Sequence, residues 1–171
     1  MLPTGKHRAD AVALIHRVLH YIGDRPFDRE LEFQLNRRFG PYGVFYETLR
    51  KLLITGIDEG WVGYKPVEGA GYNRGRIADP SRETGGMSVE GAVLSDVKGQ
   101  YHRHTRGEIA MVVPIDATSR WCGHGPGWVV YPPGSEHFPT VSGGKALVMF
   151  FLPNGEIEYK DPDAAFAADK L

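Results

Sequence analysis

Residues 101–108 read YHRHTRGE, with two histidines one residue apart and a glutamate four residues after the second. Side chains alternate between the two faces of a β-strand, so His102 and His104 would point in the same direction. Gly107 permits a turn, and the strand that follows would bring Glu108 beside the two imidazole rings. Two imidazoles and a carboxylate are ligand types that hold zinc, iron, manganese or nickel. The segment therefore predicts part of a metal site, which requires a fourth ligand from elsewhere in the chain.

Two histidines further along the chain could supply that ligand. His137 ends the stretch GWVVYPPGSEH, residues 127–137, in which a short strand is followed by a turn forced by Pro-Pro-Gly. The other is His124, which lies beside the single cysteine, Cys122, in the stretch WCGHG. Spacing alone leaves both histidines open.

The chain changes character near residue 61. Before it, apolar side chains recur at helical spacing, which predicts about three short helices over residues 1–60. Residues 61–160 contain short β-type runs such as GMSVEGAVLSD, EIAMVVPI and KALVMFFLP, separated by glycine and proline turns. This pattern predicts an all-β sandwich or small barrel. Residues 161–171 form a C-terminal tail that would add a helical turn or stay loose.

Length and charge restrict the possible partners. The chain has 171 residues and a net charge of −1, with 20 basic and 21 acidic residues and no dense basic run, so no nucleic-acid partner is expected. Its longest apolar run, residues 146–152, is far shorter than the roughly 20 residues of a membrane-spanning helix. A single cysteine excludes an internal disulfide. We expect a cytoplasmic protein without a membrane partner.

The two histidine segments resemble the two motifs of the cupin superfamily, G-x5-H-x-H-x3-4-E-x6-G and G-x5-P-x-G-x2-H-x3-N. This chain has the H-x-H-x3-E core of the first motif and G-x4-P-x-G-x2-H of the second, so the resemblance covers about residues 85–155. It implies a mainly β fold, the cupin-type double-stranded β-helix or jelly-roll barrel, with an N-terminal helical region. It also implies one divalent transition metal per chain, Fe, Mn, Zn or Ni, with the ligands His102, His104, Glu108 and His137.

The chain departs from the cupin motifs at four places. Asp96 and Ile115 stand where the first motif opens and closes with glycine, and Val141 stands at the final asparagine of the second. The second motif also has one residue fewer between Gly127 and Pro132. These are turn and packing positions rather than ligands, so the implied metal ligands are unaffected.

A closer resemblance covers about residues 10–160. The helical N-terminal region together with YNRGRI, HRHTRGEI and GWVVYPPGSEHFPTVSGGKALVMFFLPNGEIEY is similar to a family of small bacterial proteins typified by 4-hydroxylaminobenzoate lyase. This resemblance implies conversion of an aryl hydroxylamine into the catechol 3,4-dihydroxybenzoate, with release of ammonia. The metal would assist cleavage of the N–O bond, and an arginine would hold the ring carboxylate.

The stretch YNRGRI contains the arginines that fit this role. Tyr72, Arg74 and Arg76 share one face of a predicted strand. If that face is turned into the barrel, the two guanidiniums would bind an anion, and a carboxylate suits their planar fork. The alternative is an edge strand whose arginines face solvent. Glu90, on the next predicted strand, is expected to be a surface residue, with a general base as the alternative.

The resulting set of site residues is as follows. The candidate catalytic residues are Glu108, Arg74 and Arg76, and the candidate substrate-binding residues are Tyr72, Arg74, Arg76, Arg106 and Trp128.

Three functions remain open at this point. The first is a metal-dependent lyase acting on a small aromatic carboxylate. The second is an iron cupin dioxygenase acting on a small aromatic or thiol substrate, and the third is a non-catalytic cupin that binds a small molecule. Cupins are commonly dimers, so we expect a homodimer.

Overall fold

Three helices precede a body of antiparallel strands in the computed structural model, which describes residues 1–67, 69 and 71–161. The helices are α1 (Arg8–Ile22), α2 (Arg29–Phe39) and α3 (Val44–Asp58). The strands are β1 (Lys65–Pro66), β2 (Tyr72–Ala78), β3 (Met87–Lys98), β4 (His102–His104), β5 (Glu108–Pro114), β6 (Arg120–Trp121), β7 (Gly127–Tyr131), β8 (Ser135–His137), β9 (Thr140–Pro153) and β10 (Glu158–Tyr159). The prediction of a mostly β protein is confirmed. From residue 162 onward the predicted tail lies outside the described residues.

Local sequence explains where the helices begin and end. The side chain of Asp28 accepts a hydrogen bond of 2.9 Å from the backbone N–H of Leu31, which caps the first turn of α2. Helix α1 ends at Gly23, whose φ of +48° is accessible to glycine at low cost. No helix in the described part of the chain is long and apolar enough to cross a membrane.

The strands form two sheets. The larger has the order β1-β2-β3-β9-β5-β7, with β6 paired to β9, and the smaller has the order β10-β4-β8. In β5 the alternation places Ile109 and Met111 on the face that packs against the helices, while Ala110 and Val112 belong to the apolar cluster on the opposite face. Both faces of the larger sheet are therefore buried, and the second face is the one directed toward the smaller sheet.

Helix α2 covers the outer edge of β7. The side chain of Asn36 accepts from the backbone N–H of Trp128 at 2.9 Å and donates to its carbonyl at 2.8 Å. The carboxylate of Glu32 accepts from the backbone N–H of Val130 at 2.8 Å. These side chains take the place of a neighbouring strand, so the edge of the sheet is satisfied without a further strand.

Candidate metal centre and substrate cleft

Backbone pairing in the smaller sheet assembles the histidines. His102 lies directly opposite His137 in the β4–β8 ladder, and His104 is on the same face as His102. The Nε2 atom of His104 lies 3.0 Å from that of His102 and 2.9 Å from that of His137, and the third Nε2 pair is 3.0 Å apart. The structure thus brings His102, His104 and His137 together as a group that could hold a metal ion.

The hydrogen bonding of the rings fits a cation at the point where they converge. The Nδ1 atom of His102 lies 3.0 Å from the carbonyl oxygen of Gln100, which can only accept, so Nδ1 carries the proton and Nε2 presents a lone pair. Three ring nitrogens at mutual distances near 3 Å cannot each satisfy the others by hydrogen bonding. The three nitrogens lie close enough together for one cation to contact all of them.

Burial sets the protonation state of these imidazoles. Removal from water lowers the pKa of His102 to about 4, that of His104 to about 3 and that of His137 to about 4. All three rings are therefore neutral at pH 7, which is the form that binds metals.

Glu108 approaches the same group from the larger sheet. It is 3% exposed, and its Oε2 lies 3.5 Å from Nε2 of His104. Its other oxygen, Oε1, is buried without a hydrogen-bond partner among the described residues. Burial raises the pKa of Glu108 to about 8 in the absence of a cation, and a cation beside the carboxyl would restore its charge. Among the described residues, the group of donor atoms that could hold a metal consists of the three histidines, and the buried carboxylate of Glu108 lies beside this group at His104.

Aromatic rings surround the histidines. Tyr131 stacks on His104 with ring centroids 5.8 Å apart and also lies 4.6 Å from the ring of His137. Trp121 and Tyr159 present edge-on contacts to His137 and His102, each at 5.9 Å. These rings exclude water from the imidazoles on several sides, which strengthens electrostatic interactions at the centre.

A cleft of about 1040 Å³ runs along β2 and reaches His102 of the histidine group. Tyr72, Arg74, Arg76, Glu90 and His102 all line it. The face of β2 that carries the two arginines therefore lines the cleft, with the side chain of Arg74 21% exposed and that of Arg76 33% exposed.

The arginines in the cleft have a partner that was expected to be a surface residue. Glu90 is only 7% exposed, which corrects that expectation. Its Oε2 accepts from Nη2 of Arg74 at 2.5 Å, and its Oε1 lies 3.5 Å from Nε of Arg76. The buried position follows from the alternation of β3, in which Ser88, Glu90 and Ala92 share the inward face. Only the pairing of β2 with β3 reveals the partners.

Two predicted substrate-binding residues lie away from the cleft. Trp128 is on the opposite face of the larger sheet, where its ring packs near Phe151 and its Nε1 donates to the carbonyl of Phe39 at 2.9 Å. This corrects the expectation for Trp128, because helix α2 buries the face that carries it. Arg106 sits in the exposed turn between β4 and β5, with a side chain 58% exposed and 4.0 Å from Glu156.

The two remaining candidate ligands differ in position. Sγ of Cys122 lies 3.6 Å from Nδ1 of His137, so the thiol contacts the outer nitrogen of a candidate ligand rather than the point where the Nε2 atoms converge. His124 is outside the histidine group, and its backbone pairs with Trp121.

The site residues that the sequence analysis did not assign are Tyr131 and Tyr159. Tyr131 could have been found from its strand alternation, which places it on the face opposite Trp128.

Comparison with known proteins adds independent findings. A family model described as PnbB, 4-hydroxylaminobenzoate lyase, matches residues 13–159. A 4-hydroxylaminobenzoate lyase of Nocardioides sp. (strain LMS-CY) is 36% identical over 150 residues, which cover 82% of this chain and 88% of that protein. One from Pseudomonas putida is 33% identical over 168 residues, covering 89% and 95%. An RmlC-like cupin protein from Ralstonia eutropha JMP134 aligns with a TM-score of 0.46 and 18% identity, over 60% of this chain and 68% of that chain.

Proposed function

Since this chain belongs to the 4-hydroxylaminobenzoate lyase family, we propose that it converts 4-hydroxylaminobenzoate and water into 3,4-dihydroxybenzoate and ammonia. The observation that carries the proposal is a cleft that is lined by two arginines and reaches His102 of the histidine group. The centre suits chemistry at a nitrogen–oxygen group, and the arginines suit a carboxylate at the other end of the same small ring.

We further propose that the centre holds one divalent transition metal, Fe, Mn, Zn or Ni, through His102, His104, His137 and Glu108. When bound, the ion would supply Lewis acidity toward the oxygen of the hydroxylamine. The neutral imidazoles and the orphaned Oε1 of Glu108 support this assignment. The inward-facing Glu108 of the larger sheet meets the histidines of the smaller sheet, which is the arrangement that we infer to be a cupin-type double-stranded β-helix.

The residues of the cleft bind and orient the substrate in this proposal. Arg74 and Arg76 hold the ring carboxylate by charge-assisted hydrogen bonds, and Tyr72 lies beside them on the same strand face. Tyr131 and Tyr159 shield the reacting end from bulk water. Binding at both ends fixes the ring in one orientation, which contributes to the rate by reducing the freedom of the bound substrate.

The direct test of the reaction is product analysis. The metal-loaded protein is expected to form one 3,4-dihydroxybenzoate and one ammonia for each 4-hydroxylaminobenzoate consumed. Chromatography of the aromatic product and an enzymatic ammonia assay would measure both. A different aromatic product, or catechol without ammonia, would contradict the proposed reaction.

Replacing Arg76 by alanine is expected to raise KM for the aromatic carboxylate while metal content stays at the wild-type level. A lost charge-assisted hydrogen bond costs about 1.5–3 kcal/mol, which corresponds to an increase in KM of about 10- to 150-fold. Arg74→Ala is expected to act in the same direction, and Arg37→Ala, at an exposed position on α2, serves as the control for loss of one positive charge. Unchanged KM in both cleft variants would remove these arginines from substrate binding.

A further inference from the structure

Glu90 is a buried carboxylate to which the proposed reaction gives no task. It lies on β3 opposite Arg76 of β2, in the wall of the cleft. We propose that Glu90 is the positioning residue of the carboxylate subsite, and that it fixes Arg74 and Arg76 in the orientation that turnover requires. This inference rests on the proposed function, because it assigns the arginines to the substrate carboxylate.

The contacts of Arg74 show how its direction is fixed. Nη2 donates to Glu90 at 2.5 Å, Nη1 lies 3.3 Å from the hydroxyl of Tyr159, and the guanidinium carbon lies 5.0 Å above the ring of Phe150. Tyr159 in turn contacts the ring of His102 and pairs with it in the β10–β4 ladder. Glu90 therefore holds Arg74 at the end of the cleft where the histidine centre begins.

Arg76 is held less completely and retains a free donor. Its Nη1 donates to the exposed carboxylate of Asp79 at 2.9 Å. Its Nε lies 3.5 Å from Glu90, outside good hydrogen-bond geometry, and is buried without a hydrogen-bond partner in the described part of the chain. Glu90 is therefore the carboxylate that compensates this buried N–H group.

Glu90 also lowers the positive charge that an anion would meet in the cleft. The guanidiniums of Arg74 and Arg76 are opposed by the carboxylates of Glu90 and Asp79, so these four side chains carry no net charge. Glu90 also screens the repulsion between the two guanidiniums, both of which approach its oxygens. Removing the charge of Glu90 would leave one net positive charge on these four side chains, so an anion would bind more strongly, but Arg74 would lose the partner that sets its direction.

The test separates binding from turnover with the variant Glu90→Gln, which keeps the size of the side chain and removes its charge. We expect the metal-loaded variant to bind 4-aminobenzoate, which has the carboxylate but no N–O bond, about tenfold more tightly than the wild type. We expect kcat for 4-hydroxylaminobenzoate to fall by about 10- to 100-fold, because misplaced binding groups reduce the population of reactive orientations. Isothermal titration calorimetry and steady-state kinetics would measure the two effects.

Two further variants make the result specific to Glu90. Glu90→Asp should restore part of kcat, since it returns the charge to nearly the same place. Glu47→Gln removes a carboxylate that pairs with Arg50 and Lys51 on the surface of α3, and it should change neither quantity. A kcat for Glu90→Gln equal to that of the wild type would overturn the inference, as would weaker 4-aminobenzoate binding in a variant with normal metal content and thermal stability.

A failure of the proposed lyase function can be distinguished from a failure of the positioning role of Glu90. A wild-type protein that does not turn over 4-hydroxylaminobenzoate would contradict the lyase reaction, while tighter 4-aminobenzoate binding by Glu90→Gln would still support the link between Glu90 and the arginines. Normal wild-type turnover with no effect of Glu90→Gln on either quantity would contradict the positioning role alone.

Discussion

Alanine at His104 is expected to remove the metal from the protein and to abolish lyase turnover. His104 is fully buried, and its Nε2 lies within 3.0 Å of Nε2 in both other histidines and 3.5 Å from Glu108. It therefore contacts each of the other three proposed ligands. Loss even of an outer partner of a metal ligand costs about 10- to 100-fold in metal affinity or activity, and loss of a ligand should cost at least as much. Metal content by mass spectrometry and turnover with saturating substrate would measure the effect.

His124→Ala is the matched control for this variant. It removes an imidazole that is exposed and lies outside the histidine group, so metal content and turnover should equal those of the wild type. His102→Ala and His137→Ala should behave like His104→Ala. If the three variants keep full metal occupancy, the ion is bound elsewhere and the ligand assignment is wrong.

The sequence predicted that His102 and His104 lie together, because the alternation of side chains along a strand depends only on local sequence. The spacing in YHRHTRGE places His102 and His104 on one face without reference to any other strand. The position of His137 came from the resemblance to the cupin motifs, and the β4–β8 ladder now supplies its physical reason by pairing His137 with His102. The family resemblance is confirmed by the family model and by both relatives.

The remaining site residues depend on information that the sequence does not contain locally. Trp128 and Tyr131 are both aromatic residues of one strand, and only the packing of α2 decides that the face of Trp128 is covered by helices. Glu90 stands in the buried part of β3, and its burial is tolerated because β2 brings arginines beside it. Arg106 follows a metal-ligand segment in sequence, but the turn at Gly107 directs its side chain outward. The positions of these three residues thus depend on the pairing and packing of distant segments and on the direction of a turn, which local sequence patterns do not predict.

Lyase turnover is expected to continue when oxygen is excluded and no reductant is added. The atoms of 4-hydroxylaminobenzoate and water are those of 3,4-dihydroxybenzoate and ammonia, so the proposed reaction needs neither an electron donor nor an oxidant. An iron dioxygenase with the same ligands would consume oxygen in proportion to product. Ammonia release in an anaerobic cuvette, beside an oxygen-electrode trace recorded in air, would separate the two activities.

Glu108→Gln provides the companion variant, because it preserves the size of the buried side chain and removes its negative charge. Glu108 is the only carboxylate among the four proposed ligands, and its Oε2 lies 3.5 Å from Nε2 of His104. We expect anaerobic turnover to fall at least about 10- to 100-fold, as for the loss of other groups that tune a metal site. Glu136→Gln, which removes a carboxylate bonded to Lys160 and Tyr101, tests whether the loss of any negative charge on these strands lowers turnover in the same way.

Stoichiometric oxygen uptake without anaerobic turnover would contradict the lyase activity and support the dioxygenase. A wild-type protein that binds 4-aminobenzoate but turns over nothing under either condition would be a binding protein.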